Sequence, residues 1–379
     1  MEKGILLDKN SKLILQQIFN NENITRVQIA KNLDMNKATV TNILNDLKNE
    51  HFVKETGAGD STKIGGRKPI LLAINENYGY TISIDIGYDY LEVMYNFFNG
   101  QIMRCDTFLL KEKTMPEVIN TIKEKVNFNS KLGTTNGLLG ISLSIHGIVD
   151  NERDIVDSPF LDLKNVSIID EFEKITGVPI NIENEANLSA IFERDFNEKN
   201  INNLIAISIH KGIGAGLIIN GKLYRGLNGE AGELGRTLFH FKDGSIYKLQ
   251  KIEEVCSQDA IINRLQKKLN KELDLKEIGK MYEENCVVVT DEIDLFIQMI
   301  ALLIHNVNVQ FNPDTIYLNS PLINEIPETM IRIRRELESI SSQKISIKLS
   351  SNVKHSILLG ASSYITHRIL GMDHLKLKF

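Results

Sequence analysis

The chain has 379 residues, a formal net charge of −5, 42% apolar residues and 25% charged residues. That length calls for two or three domains, and the balanced composition excludes long disordered stretches. No apolar run nears the ~20 residues of a membrane span, residues 1–10 lack a signal-peptide core, and Cys105, Cys256 and Cys286 are too scattered for a disulfide framework or a four-thiolate zinc site. A soluble, cytoplasmic protein is expected. Charge is uneven: residues 1–80 hold 11 Lys and Arg against 9 Asp and Glu, and the remainder holds 33 against 40. The mildly basic start suits an anionic partner there, and the acidic bulk argues against general nucleic-acid coating.

Three short helices are expected first. Residues 11–20 place Leu13, Ile14, Ile18 and Phe19 on one face. Residues 25–33 open with Thr25 and carry Gln28 three positions on, a capping-box pattern. After the turn Asp34-Met35-Asn36, residues 37–49 turn Val40, Ile43, Leu44 and Leu47 inward and leave Lys37, Thr39, Thr41, Asn42 and Asn45 outside. Helix, helix, short turn, helix is helix-turn-helix spacing, with the third helix placed for a major groove. Two short strands, 52–55 and 69–74, flank the polar stretch Thr56–Lys68, which reads as a wing ending in Gly65-Gly66-Arg67-Lys68. Arg67 would suit a narrow minor groove. The DNA-contacting candidates are Thr25, Lys37, Thr39, Thr41, Asn42, Arg67 and Lys68. A plain helical bundle with a basic loop is the alternative.

From Tyr80 the period changes. Strands are expected over 80–86, 91–97 and 102–109, the first ending in Asp85-Ile86-Gly87 and the last two joined by Asn99-Gly100. A helix over 115–128 and a strand over 137–145 follow, the strand running into His146-Gly147. Strands 204–209, 215–219 and 222–225, with the glycine loop 210–216 between the first two, repeat the theme. Two duplicated lobes with glycine turns at strand ends suggest ligand binding at those ends. Residues 295–311 read as an apolar helix ahead of a buried strand at 313–318, and residues 360–363 as the start of a final helix.

Together these residues resemble the ROK family of bacterial sugar kinases and sugar-responsive repressors. The strongest marks are Asp85-Ile86-Gly87, Glu183-Asn184-Glu185-Ala186-Asn187, the glycine loop at 212–216 and residues 228–235 (NGEAGELG). The resemblance implies an α/β fold: a winged helix-turn-helix over residues 1–75, then a two-lobed, actin-like sugar-kinase-like domain over 76–379. Its lobes would be about 78–180 plus the final helix, and 181–359. Pairing Gly65-Gly66-Arg67-Lys68-Pro69 with the 183–187 motif is most similar to the family's xylose-responsive repressors of low-GC Gram-positive bacteria. This implies a homodimer or dimer of dimers on palindromic operator DNA, a monosaccharide effector, xylose first, no membrane association and no catalysis. The alternative is a bifunctional ROK sugar kinase with an appended DNA-binding domain.

The family's kinases use Glu-Asn-Asp-Ala-Asn, whose Asp deprotonates a sugar hydroxyl. Here that position is Glu185, one methylene longer, which keeps a carboxylate but shifts the geometry. A plain charge at a helix N-terminus would also fit. The resemblance further assigns Gly147, Asn184, Glu233, Arg236 and Glu253 to the sugar, with Arg236 in place of the family's His. Phe160 stands near the family's usual Asn, which removes one hydroxyl contact. On the nucleotide side, Asp85, Gly87, Gly212 and Gly214 remain as vestiges, but Tyr88-Asp89 and His210 replace small phosphate-admitting residues. A tight turn would explain the 212–214 glycines equally well. The family's zinc cysteines are absent from residues 239–250, so no cofactor and no structural metal is expected, and the loop must be ordered otherwise.

Overall fold

In the computed structural model, the described residues are 5, 7–58, 68–197, 201–243, 246–373 and 375–379. Helix α1 (Lys9–Asn20), strand β1 (Ile24–Thr25), helices α2 (Arg26–Asn32) and α3 (Lys37–Asn49), and strands β2 (Val53–Ala58) and β3 (Ile70–Ile74) form the winged helix-turn-helix. Each start is specified locally. Asp8 caps α1; Thr25 and Gln28 close a reciprocal capping box on α2; Asn36 accepts from Ala38 N at the start of α3. Asp34, at φ 50°, makes the left-handed bend between α2 and α3. β2 runs three residues beyond its expected end, because its outer half is an exposed antiparallel ribbon on β3 whose residues carry no apolar signal. The wing's tip, including Arg67, lies outside the described residues; Lys68 is exposed at its base.

The chain divides into two compact units. The first takes in residues 1–185, 195–197 and 358–379; the second takes in 186–194 and 198–357. The first unit's sheet has the order β10-β7-β4-β5-β6, from β4 (Tyr80–Ile86), β5 (Tyr90–Phe97), β6 (Ile102–Leu109), β7 (Leu138–Ile145) and β10 (Ile180–Asn184). β4, β7 and β10 are parallel, and β4, β5 and β6 form an antiparallel meander. The hairpin β8 (Ile148–Val149) and β9 (Ile155–Asp157), with helices α4 (Met115–Lys125) and α5 (Ile168–Thr176), completes this half, and α6 (Glu185–Phe196) follows β10 directly. Because β10 pairs with β7, the lobe boundary expected near 181 falls at 186.

All seven residues of β4 are buried, so both faces of this strand are covered. Ile82, Ile84 and Ile86 face an apolar core shared with α4 and α5. The alternate residues Thr81, Ser83 and Asp85 form a polar face, and Thr81 shares a hydrogen bond with Ser362. Ser362 belongs to helix α13 (Ser356–Ile369), which begins four residues before its expected start.

The second unit repeats the strand plan. Its sheet order is β13-β12-β11-β16-β17, from β11 (Leu204–Ile209), β12 (Ile213–Ile219), β13 (Lys222–Tyr224), β16 (Thr315–Asn319) and β17 (Ile347–Leu349). A second hairpin, β14 (Leu238–Asp243) and β15 (Ile246–Lys251), leads to helices α7 (Ile252–Cys256), α8 (Gln258–Leu269), α9 (Leu275–Glu283), α10 (Val287–Phe311), α11 (Pro321–Glu325) and α12 (Glu328–Ile340). α10 starts eight residues earlier than the apolar run at 295 suggests, since Val287–Asp294 continue the same helix with a more polar exterior. Gly216 lets α6 lie against β12: a Cβ there would come 2.4 Å from Ala186 O. No described helix is long and apolar enough to cross a membrane.

Thr25→Ala removes the hydroxyl that accepts from Gln28 N and donates to Gln28 Oε1, leaves the backbone arm from residue 25, and is expected to cost ~1 kcal/mol. Denaturant unfolding should register this as an earlier loss of the helix-turn-helix, and an unchanged transition would count against the cap.

Candidate sugar and DNA sites

Three parallel strands of the first unit end side by side, so their last residues meet. β4 ends at Asp85-Ile86, β7 leads into His146-Gly147, and β10 leads into Asn184-Glu185. The Asn184 amide Nδ2 donates to Gly147 O at 2.6 Å and to Glu185 Oε2 at 2.9 Å. Gly147 has to be glycine, because a Cβ would lie 2.3 Å from Asp157 O. The His146 imidazole lies between two carboxylates, with Nε2 3.7 Å from Asp85 Oδ1 and Nδ1 3.9 Å from Glu185 Oε1. The Tyr90 hydroxyl donates to Asp85 Oδ2 at 2.8 Å and lies 3.2 Å from His146 Nε2.

Burial alone would raise the Asp85 pKa, but the His146 imidazole, then the Ser144 and Tyr90 hydroxyls, outweigh it and hold the carboxyl below its usual range. Burial and the Asp85 charge push the Tyr90 hydroxyl far up, so it stays a neutral donor. Gly87, expected as a remnant of a phosphate turn, is covered by the Tyr90 ring: a Cβ would lie 2.3 Å from Tyr90 Cε1. Tyr88 stacks on Phe160 with centroids 4.4 Å apart, and its ring edge meets His146 at 5.8 Å. Sequence reasoning missed His146 and Tyr90 as site residues. His146 had a signal, its place beside Gly147 at a strand end; Tyr90 had none.

In the second unit, Glu253 lies beside Gly212 and Gly235, and Glu233 and Arg236 lie on either side of Gly235 in sequence. Glu233 and Arg236 flank a single 3-10 turn, and Arg236 Nε lies 3.1 Å from Glu233 Oε2. Gly232, at φ +97°, fixes this turn on β12, since a Cβ would fall 1.8 Å from Ala215 O. Glu253 lies in the first turn of α7, and its Oε2 would be 2.5 Å from a Cβ on Gly235 and 3.3 Å from one on Gly212. Residues 210–212 form a tight strand turn with His210 N donating to Gly212 O at 3.0 Å; the loop expected to run to 216 stops there because β12 begins at Ile213. Gly214 is within β12, paired with Ser208. The stretch that lacks the family's cysteines is the hairpin β14–β15, whose Phe239 and Phe241 pack on the second unit's core. Cys256 is buried, and burial pushes its thiol up to about 12, which makes it a poor metal ligand.

On the helix-turn-helix, Lys37, Thr39, Asn42 and Asn45 are exposed along α3. Two of the expected DNA contacts are already engaged within the chain. The Thr25 hydroxyl closes the capping box. The Thr41 hydroxyl donates to Lys37 O at 2.6 Å and accepts from Arg26 Nη1 at 3.0 Å. Both are therefore better placed to position neighbours than to read bases, and exposed Arg26, which sequence reasoning passed over, joins α3 on this side.

A profile described as the ROK family matches residues 81–367, and one described as winged helix-turn-helix DNA-binding matches residues 7–54. The chain is 48% identical to the xylose repressor of Staphylococcus xylosus over 380 residues, covering 100% of this chain and 99% of that protein. It is 38% identical to the xylose repressor of Lactiplantibacillus pentosus, covering 99% and 96%. Among solved structures, a ROK family transcriptional regulator described as a homolog of the E. coli MLC protein superposes with a TM-score of 0.77 at 20% identity, covering 97% and 98%.

A carboxyl whose folded pKa lies below its unfolded value stabilises the fold above the unfolded pKa and loses that contribution as pH falls through the folded one. For Asp85 the reference value is 3.8. Tyr90→Phe removes a hydrogen bond to the carboxylate and raises its folded pKa. The stability gap between wild type and variant is expected to be largest near neutral pH and to narrow below pH about 4. A gap constant from pH 7 to 3 in denaturant titrations would reject the Tyr90–Asp85 bond.

Proposed function

The chain belongs to the ROK family, and on that premise we propose that it is a sugar-responsive transcriptional repressor whose effector is xylose. The full-length likeness to two xylose repressors carries this reading. The winged helix-turn-helix would hold a palindromic operator as a homodimer, since two half-sites call for a two-fold protein. Lys37, Thr39 and Asn42 would meet base edges, and Lys68, Arg26 and Arg67 the backbone or minor groove.

We assign sugar-binding roles to Asn184 and Glu185 in the first unit and, separately, to Glu233, Arg236 and Glu253 in the second. Polyol hydroxyls supply partners for these carboxylates, the amide and the guanidinium. Gly147 contributes its close backbone approach. His146, between Asp85 and Glu185, would orient the Glu185 carboxylate.

No phosphoryl transfer is assigned. The phosphate turn carries the Tyr90 ring over Gly87, and the Asp85 carboxylate is engaged by Tyr90. Phosphoryl transfer depends on positioned cations and amides around the phosphates, and a buried carboxylate beneath an aromatic ring offers neither. The reading also includes no structural zinc, because the hairpin β14–β15 is held by Phe239 and Phe241.

Fluorescence anisotropy with operator DNA tests the reading directly. D-xylose is expected to weaken operator affinity at least tenfold, and Asn42→Ala to weaken it without sugar. Glu233→Ala is expected to cost ~1–3 kcal/mol of sugar binding, or about ten- to hundredfold in calorimetric affinity, with sugar-free DNA affinity unchanged. An operator affinity indifferent to xylose, or unchanged xylose binding in Glu233→Ala, would refute the corresponding part.

A further inference from the structure

Residues 371–373 and 375–379 follow α13 and lie between two helices with different duties. On one side is α1 of the DNA-binding element. Gln16 Nε2 and Asn20 Nδ2 donate to Lys376 O at 2.9 and 3.0 Å, Lys12 Nζ donates to Gly371 O at 3.0 Å, and Lys378 N donates to Asn20 Oδ1 at 2.8 Å. On the other side is the last turn of α6. Phe379 N donates to Asp195 O at 3.2 Å, and Lys378 Nζ donates to Asn197 O.

The Phe379 ring joins the two sides. It stacks on Phe196 of α6 at 5.5 Å and packs against Phe19 of α1 at 5.4 Å. Gly100 opens the space for it, since a Cβ there would come 2.7 Å from Phe379 Cδ1. Met372 and Leu377 are fully buried in the same core as Ile14, Leu15 and Ile18 of α1. The segment is also tied down at its root. His367 presents Nδ1 to Met372 O and Nε2 to Asp195 Oδ2, each at 3.1 Å, and the Ser363 hydroxyl donates to that same carboxylate oxygen. Asp195 and His367 are 0% and 1% exposed.

α6 therefore has Glu185, the candidate sugar carboxylate, at its first residue and the anchor of this segment at its last turn, ~16 Å apart along one helix. We propose that residues 371–373 and 375–379 act as a strap that carries the state of the sugar site from α6 to helix α1 of the DNA-binding element. A small shift of α6 on sugar binding would displace Phe196 and Asp195, and with them the strap and α1. A packed, interdigitated contact shifts as a unit rather than deforming smoothly. The strap rests on the sugar-responsive reading for its purpose, but not for its mechanics.

Two readouts on the full-length chain test it. The first needs no sugar. In hydrogen exchange, Phe379→Ala is expected to speed amide exchange several-fold in both α1 and the last turn of α6, with β4 and β7 unchanged. The second is the ratio of operator affinities without and with saturating D-xylose. That ratio is expected to fall toward one in Phe379→Ala and in the milder Asn20→Ala, while calorimetric xylose affinity stays within about threefold of wild type. Faster exchange in only one of the two helices, or a full wild-type ratio in Asn20→Ala, would overturn the strap. If Phe379→Ala loosens β4 and β7 as well, Asn20→Ala decides by the same two readouts. If wild type shows no xylose response while both helices loosen together, the effector reading fails and the strap stands.

Discussion

The Asn184 side-chain amide serves two oxygens at once, the Gly147 carbonyl and the Glu185 carboxylate, and the candidate sugar site is organised around that single donor group. It can do so only because β4, β7 and β10 run parallel and end at one level. The arrangement also demands glycine at 147, where the chain from Asp157 crosses too closely for a side chain. Buried polar groups without partners are costly. The ends of these strands therefore hold an interlocked set, Tyr90 to Asp85 Oδ2, His146 near both carboxylates, Asn184 to Glu185, rather than independent residues.

Short-range contacts within the chain also surround the motifs that the resemblance placed on a nucleotide side. Asp85-Ile86-Gly87 retains its letters, yet Gly87 now accommodates the Tyr90 ring and Asp85 accepts from its hydroxyl. Gly212 makes a tight turn beside Glu253, and Gly232 brings the Glu233–Arg236 turn down onto β12. Phe239 and Phe241 give the hairpin β14–β15 an apolar anchor in the second core. In each case the group is held by a short-range contact within the chain.

Much of this was legible in the sequence. The helix over 37–49 and the strands over 80–86, 102–109 and 204–209 match their expected bounds, because period and turn residues agree there. The capping box on α2 was read from Thr25 and Gln28 alone. The duplicated strand order, three antiparallel strands extended by two parallel ones in each unit, follows from the repeated theme. What was not legible depends on tertiary neighbours. α10 extends backward through Asp291 and Asp294, which interrupt the apolar run without interrupting the helix. Tyr90 looked like an ordinary strand residue, and only the fold turns its hydroxyl toward Asp85. Thr41 looked like a base-reading residue, but Lys37 O and Arg26 occupy its hydroxyl. The partners of residues 371–373 and 375–379 in α1 are more than 350 positions away in sequence and those at the end of α6 more than 180, beyond the reach of any local pattern.

The central claim is that this ROK chain keeps its sugar side and has given up its nucleotide side. Isothermal titration of the wild-type protein with D-xylose and, separately, with ATP and magnesium measures both halves in one experiment. The account predicts saturable heat with xylose, no binding of ATP, and no change in the xylose isotherm when ATP is present. Saturable ATP binding that tightens xylose, or ATP binding with no heat from any monosaccharide, would contradict it.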